Sequence, residues 1–255
     1  MTLPAQQSSV FIDKLKLRSH LSDDDAKRLA AIVARPEAIA AGTHLAWPGE
    51  RTDRVSILLE GWACRYKSDA RGERQIVAIH LPGDMIDLHA IWLGWSDHGS
   101  LSLSTSQVAR VPHGEILELI DDSPTIARAL LTEALVDAAI AREWLMNNGR
   151  RDAYARVAHL FCELTLRMKA IGRCDGGRFE LAMSTAELAD ATGLTPIHMN
   201  RTLQFLQAGR LLSVRDREVS IEDWEGLRDA AEFDPGYLYL EGLVDMEGGN
   251  GRTSA

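Results

Sequence analysis

From Ser123-Pro124 to Asn147-Asn148-Gly149 the chain runs without a helix breaker. Serine is a good N-cap and proline suits the first helical position, so the segment predicts a helix over 124–147, about 36 Å long at 1.5 Å per residue. It carries two apolar stripes. Ala127, Leu131, Ala134, Ala138, Ala141 and Leu145 follow a 4-3-4-3-4 spacing, while Ile126, Leu130, Ile140 and Trp144 mark a second line. One stripe can bury itself within the chain, and the other then needs a further surface. An Ala-rich seam lets two helices approach closely, so a parallel pair of these helices across a two-fold axis is expected, the alternative being a helix buried inside one subunit.

The helix divides the chain into two textures. Before it, from Arg35 to about Val111, stand short β-rich runs such as HLAW, RVSILLE, WACRY and RQIVAIHL. Turn signals separate them: Pro48-Gly49-Glu50, Glu60-Gly61, Ser68-Asp69-Ala70-Arg71-Gly72 and Leu81-Pro82-Gly83-Asp84. Strands at that spacing predict a small antiparallel barrel or jelly roll. A short polar lead precedes it, then a helix start at Ser22-Asp23-Asp24-Asp25, with a serine cap and acids in the first turn. After the long helix, Asp152 to about Ala170 reads as another helix, and glycines 172, 176 and 177 mark a loop.

At 255 residues and about 150 residues per domain, two domains are expected. With 45% hydrophobic and 25% charged residues, disorder and collagen-like repeats are excluded. No stretch approaches the roughly 20 apolar residues of a membrane helix, and MTLPAQQSSV lacks the features of a secretory signal, so the expected location is the cytoplasm with no membrane partner. Cys64, Cys162 and Cys174 are odd in number and far apart in the chain, which argues against a disulfide framework. His159 three residues before Cys162 lacks the second pair a metal site needs.

The net charge of -9 at first argues against a nucleic-acid partner. Its distribution reverses that. Residues 1–149 carry 15 basic and 20 acidic side chains, residues 150–230 carry 12 of each, and residues 231–255 carry 1 and 5. Within 150–230 every basic residue except Lys169 is arginine, the side chain suited to bidentate phosphate and guanine contacts.

Residues 184–212 read STAELADATGLTPIHMNRTLQFLQAGRLL. Ser184-x-x-Glu187 is a capping box, Thr192-Gly193-Leu194 a turn, and Thr195-Pro196 the start of a second helix closed by Gly209. Ala189, Gly193 and Met199 are the small residue, turn glycine and inward apolar residue that a helix-turn-helix needs. Met199, Leu203 and Leu206 share the inward face, which leaves Pro196, His198, Asn200, Arg201 and Gln204 outward at the N-terminal end. Asn200 and Arg201 there suit base edges. The next run, LLSVRDREVSI, is a hairpin with Arg215-Asp216-Arg217 at its tip, which makes the whole a winged DNA-binding unit. Arg215, Arg217, Arg178 beside the strand FELAM, Gln204, and the hydroxyls of Thr185 and Thr195 are expected at phosphates. A plain αα-corner is the alternative reading of the helix pair.

A β-roll with LPGDMIDL near its centre, a long helix, and a winged helix-turn-helix containing ATGLTPIHMNRTLQFL together resemble the cyclic-AMP receptor protein/fumarate-nitrate reductase regulator (Crp/Fnr) family of bacterial transcription factors, over about residues 20–225. The resemblance implies a homodimer on palindromic operator DNA, switched by a ligand in the N-terminal domain, with RNA polymerase a partner if it activates. By position it puts base reading on Pro196, Ile197, Asn200 and Arg201, with His198 close by. Pro196 and Ile197 replace an Arg-Glu pair that many members carry, which implies a different operator.

The sensor region departs from that pattern. Cyclic-nucleotide binders of the family follow the P-G-D turn with a Gly-Glu pair and, further on, an Arg-Ser pair. Here the stretch is MIDLHAIWLGWSDHGSLSLS, with Leu88 at the Glu position and no arginine between Arg74 and Arg110. The family's iron–sulfur members need an N-terminal cysteine cluster, and the first cysteine here is Cys64. Cyclic AMP and an iron–sulfur cluster are therefore not expected, and the cofactor stays unassigned. Leu88, His89, Trp92, His98 and Ser100 are the effector-pocket candidates, and Ile91, Trp92 and Trp95 make that pocket read as more apolar than a nucleotide site. The histidines 44, 80, 89 and 98 form no H-x-H or H-x-x-x-H pair, so no metal site is expected. A cupin-like metal-dependent enzyme or a metal- or haem-responsive sensor is the alternative, and no catalytic signature is present. The expected organisation is α+β: a jelly-roll sensor of cyclic-nucleotide-binding type over 1–122, a dimerisation helix over 123–149, a winged helix-turn-helix over 150–230, and an acidic tail over 231–255. The tail's apolar first half could fold back on the winged domain, and its end, GGNGRTSA, is expected to be disordered.

Overall fold

The structure, a computed structural model, describes residues 5–240, with side chains from residue 10 on. The polar end GGNGRTSA lies outside the described residues.

Strands β1 (Glu37–Ile39), β2 (His44–Ala46), β3 (Arg54–Glu60), β4 (Ala63–Ser68), β5 (Arg74–His80), β6 (Met85–Ile86), β7 (Gly99–Ser102) and β8 (Ser106–Pro112) form the β-rich half. They build two antiparallel sheets, ordered β1-β8-β3-β6 and β2-β7-β4-β5. Ile39, Leu58, Ile86 and Val108 from the first sheet meet Leu45 and Ala63 from the second and fill the roll. Because side chains alternate along a strand, Val55, Ile57 and Leu59 point the other way. That outer face is covered by helices: α1 (Ala5–Lys16), α2 (Asp23–Ile32), α4 (His113–Asp122) and the first turns of α5 (Pro124–Arg150).

Helix α1 corrects the reading of residues 5–16 as a polar lead. Phe11, Ile12 and Leu15 lie on one side of it and are buried, and the polar run Gln6-Gln7-Ser8-Ser9 before them hides the helical period. Helix α2 begins where expected, with a complete capping box between Ser22 and Asp25.

Helix α5 starts at the Ser123 cap and runs to Arg150, three residues beyond the expected end. Asn147-Asn148-Gly149 does not stop it because the neighbours take up its polar groups. Asn147 is buried and donates to the Arg156 carbonyl (3.2 Å), and Asn148 donates to the Ala191 carbonyl (3.3 Å). The two apolar stripes have opposite fates. Ile126, Leu130 and Trp144 are buried, whereas Leu131 (58% exposed), Leu145 (76%), Ala134, Ala138 and Ala141 face outward, with Ala127 partly covered.

Helix α6 (Ala153–Ala170) follows, capped by Asp152, and then β9 (Arg178–Glu180), α7 (Thr185–Thr192), α8 (Pro196–Ala208), β10 (Leu212–Arg215) and β11 (Glu218–Ile221). Phe161, Leu164, Leu188, Met199, Leu206 and Val219 share one core with Cys64, Ile76 and Ile79 of the second sheet. The C-terminal unit is therefore packed directly on the β-roll. Helix α9 (Trp224–Ala230) and a 3-10 turn (Pro235–Leu238) complete it. Ala231, Phe233, Leu238 and Leu240 are buried, and Arg18 after α1 holds the turn through the Leu238 carbonyl (2.8 Å). The apolar part of the tail thus packs against α5 and α6 and is tied to the N-terminal half.

Candidate nucleic-acid interface and sensor site

The helix-turn-helix forms as its residues require. The Ser184–Glu187 capping box is complete, Gly193 adopts a left-handed φ of 64°, and the Thr195 hydroxyl accepts from the His198 amide at 3.2 Å. Met199, Leu203 and Leu206 are buried. Pro196, Ile197, His198, Asn200, Arg201 and Gln204 are all exposed, Ile197 by 75%. Phe205 is exposed by 61% on the same helix, a feature the apolar spacing did not mark.

The wing is a two-residue hairpin. Arg215 pairs with Glu218 in register, and Asp216 and Arg217 take φ values of 50° and 66°, both left-handed as a type I′ turn demands. β9 adds a third strand. Arg178, Arg215 and Arg217 are exposed, although Arg217 also donates to the Ala182 carbonyl (3.3 Å). Thr195 is exposed and Thr185 partly so. Thr195 is occupied as a cap acceptor, which leaves its O–H free to donate.

This unit is locked to the β-roll. The Arg74 guanidinium of β5 donates to Asp190 of α7 through two nitrogens (2.8 and 2.7 Å), and Gln75 donates to the Asp190 and Ala191 carbonyls. From α6, Arg156 donates to Thr192 at the helix-turn-helix turn (2.8 Å). Arg167 reaches back to the P-G-D turn, bonding Asp84 (3.1 Å) and the Ile79 carbonyl (2.7 Å) while pairing with Glu163 (2.9 Å). Glu163 is fully buried and also accepts from Trp144 and from the Tyr237 hydroxyl, each at 2.9 Å.

A cavity of about 150 Å³ lies between the P-G-D turn, α1, α5 and α6. Leu88 and His89 line it. Trp92 does not: it sits on the short helix α3 (Ala90–Leu93) with 61% of its surface in solvent, and Trp95 is 50% exposed. Nor is the cavity apolar. Lys14, Arg18, Arg65 and Arg167 enter it from segments far from residues 85–104, which is why the local reading missed them. Each already has a carboxylate: Lys14 contacts Asp84, Arg18 pairs with Glu133 (2.8 Å), Arg65 with Asp137 (2.7 Å) and Arg167 with Asp84 and Glu163. Burial pushes the Lys14 ammonium down to about 7 against the pull of Glu133.

The residues do not fit a cyclic nucleotide. The cavity is smaller than the roughly 300–1,000 Å³ of ordinary ligand pockets, its cations are spent on carboxylates, and Leu88 offers no ribose acceptor. They do not fit a four-thiolate iron–sulfur cluster either, since the chain has three cysteines. Cys64 and Cys162 are buried, and burial pushes the Cys64 thiol up to about 12.

His98 and Ser100, two further candidates, meet at a carboxylate the sequence reading did not single out. Asp87, held at a φ of 65°, bonds His98 Nε2 through Oδ1 (2.6 Å) and accepts from the Ser100 hydroxyl through Oδ2 (3.0 Å). Asp97 takes the other His98 nitrogen, Nδ1, at 2.9 Å. Asp87, His89 and His98 are the one group of metal-ligating side chains found together among the described residues. Two Asp–His combinations within twelve residues, Asp87-x-His89 and Asp97-His98, are the signal for it in the sequence, and a pattern built on paired histidines does not contain them.

Comparison with known proteins accounts for both halves. Residues 36–123 match the cyclic nucleotide-binding domain and residues 155–230 the Crp-like helix-turn-helix domain. The transcriptional activator protein Anr of Pseudomonas protegens is 26% identical over 209 residues, covering 82% of this chain and 84% of that protein. The fumarate and nitrate reduction regulatory protein of Escherichia coli is 23% identical over 220 residues, covering 86% and 88%. The structure of FixK2 from Bradyrhizobium japonicum superposes with a TM-score of 0.70 at 23% identity, covering 77% of this chain and 96% of that one. With a β-roll, a long central helix and a winged helix-turn-helix in the family's order, this chain belongs to the Crp/Fnr family of DNA-binding transcriptional regulators.

Proposed function

We propose that the protein is a homodimeric, cytoplasmic, non-enzymatic regulator that reads a palindromic operator through α8 and does so without cyclic AMP. The observation that carries this reading is the exposed face Ile197-His198-Asn200-Arg201 at the N-terminal end of a helix whose opposite face is buried. Asn200 and Arg201 offer the forks that pair with adenine and guanine edges, and Ile197 offers an apolar contact for a thymine methyl. Arg178, Arg215, Arg217, Gln204, Thr185 and Thr195 hold the phosphates and fix the register.

Dimerisation is supported by the outward stripe of α5. Leu131 and Leu145 are large apolar side chains in solvent on the line of Ala134, Ala138 and Ala141, a seam that a second α5 would cover. A groove of about 860 Å³ lies beside it, its walls combining Leu17, Leu135 and Tyr239 with Lys16, Arg18 and Arg142. A two-fold dimer places two recognition helices on successive major grooves, about 34 Å apart. If the protein activates, RNA polymerase is its further partner. Selection of bound duplexes from random DNA tests the reading. A two-fold symmetric consensus is the expected result, and recovery of unrelated sequences would overturn it.

A further inference from the structure

We propose that Asp87, His89 and His98 form a binding site for one divalent first-row transition ion inside the sensor domain. A ring nitrogen of each histidine and a carboxylate oxygen of Asp87 lie within 4.8 Å of one another. In a tetrahedral site with bonds of about 2.0–2.1 Å the ligand atoms stand roughly 3.3 Å apart. The hydrogen-bonded pair His98 Nε2–Asp87 Oδ1, at 2.6 Å, gives up its proton and opens by about 0.7 Å to reach that spacing, and the remaining approach, about 1.5 Å at most, falls within a side-chain rotation of His89, which is only partly buried.

The surroundings are those of a metal centre. The His98 and Asp87 side chains are both more than nine-tenths buried. Asp97 sits on His98 Nδ1, the position from which an outer carboxylate fixes the tautomer and aims Nε2 at an ion. Ser100 donates to Asp87 Oδ2 and so fixes that carboxylate while Oδ1 faces His98. A purely structural network would account for Asp97, His98, Asp87 and Ser100, but not for His89. His89 Nε2 is fully buried and has no hydrogen-bond partner, a state that costs free energy unless something else engages the ring.

The ligand set selects the ion class. Two imidazoles and one carboxylate suit Zn²⁺ or Fe²⁺ and disfavour Mg²⁺ and Ca²⁺, which take oxygen ligands. Three protein ligands leave at least one coordination position for water or a small exogenous molecule. Because His89 also lines the cavity that holds Asp84 and Arg167, an ion there would bring its charge beside the contact between the β-roll and α6.

The test uses the full-length protein stripped with a chelator, with Zn²⁺ titrated by calorimetry and Co²⁺ followed by its visible absorption. One ion per chain, bound in the micromolar range or tighter, with a Co²⁺ spectrum of nitrogen and oxygen ligation, is the expected result. His89→Ala and His98→Ala should abolish it, Asp97→Asn should weaken it about 10–100-fold, and His44→Ala, in the stacked His44–Trp47 pair, should leave it unchanged. Should His98→Ala fail to fold, His89→Ala and the wild-type spectrum decide. No saturable binding to the wild type, or binding that a folded His89→Ala variant retains, would overturn the proposal.

Discussion

The second helix of the helix-turn-helix and the cavity beside the P-G-D turn are built by opposite strategies. The exposed face of α8 comes from one run of nine residues, Pro196 to Gln204, and a two-residue hairpin nearby supplies the wing. The cavity draws Lys14 from α1, Arg65 from β4, Asp84 from a turn, Glu133 from α5 and Arg167 from α6. A surface made by one element can be altered one side chain at a time, so members of a family can change operators without refolding. A cavity made by five segments couples its contents to every one of them, so a change there reaches the packing of the whole molecule.

That contrast orders the expected effects of substitution. The largest concerns the seam proposed to join two copies. Ala138→Glu puts a charge on the outward stripe of α5 and should give monomers by sedimentation, with specific operator affinity falling on the order of 10³-fold or more, the margin between specific and non-specific binding. Next is the cavity. Arg167→Ala leaves Glu163 fully buried without its cation and removes one of the cations on Asp84, and breaking a buried pair from one side costs about 3–5 kcal/mol. Chemical denaturation should show that loss. A change under 1 kcal/mol would mean the cluster is far more hydrated than its burial indicates.

The recognition face should respond more modestly and more selectively. Arg201→Ala should cost about 1–3 kcal/mol on the selected operator and much less on random DNA. Arg217→Ala should weaken both together and reduce the salt slope by about 1. Equal losses on both DNAs for Arg201→Ala would remove it from base reading.

Acid should act on the buried histidines. Burial, helped by Arg151, pushes His159 down to about 3, and burial with Arg65 and Arg167 nearby pushes His80 well below its ordinary value. An unfolded histidine takes up its proton near pH 6.5, so between pH 6.5 and about 3 the unfolded chain binds more protons than the folded one. Stability is therefore full above pH 6.5 and is lost as pH falls through that window, by up to about 1.4 kcal/mol per pH unit for each histidine. Denaturation midpoints from pH 7 to 4.5 should show this, and His159→Gln should flatten the slope. The smallest effect is none: cyclic AMP should give no binding heat and leave operator affinity unchanged, because its phosphate would have to displace a carboxylate from an existing pair.

The same contrast explains what the sequence disclosed. Caps, turns and apolar periods are local, so the capping box at Ser184, the glycine turn at 193, the wing tip and the buried face of Met199, Leu203 and Leu206 were all legible. The strand runs of the roll were legible for the same reason. Helix α1 was not: among its described side chains Phe11, Ile12 and Leu15 mark the buried side, and a glutamine- and serine-rich stretch precedes them. The cations of the cavity and the Asp87 carboxylate depend on which segments the fold brings together, and no local period records that. Trp92 shows the converse: an aromatic residue near a pocket in sequence need not line it, because the short helix α3 turns it into solvent.

The central claim, that a two-fold pair of these chains reads DNA through α8 without a nucleotide, is tested most directly by hydroxyl-radical footprinting on a selected operator with no effector added. Two equivalent protected half-sites centred about 10–10.5 base pairs apart, both lost with Arg201→Ala at a concentration that saturates the wild type, are the predicted result. A single protected half-site, or protection that appears only when cyclic AMP is present, would contradict it.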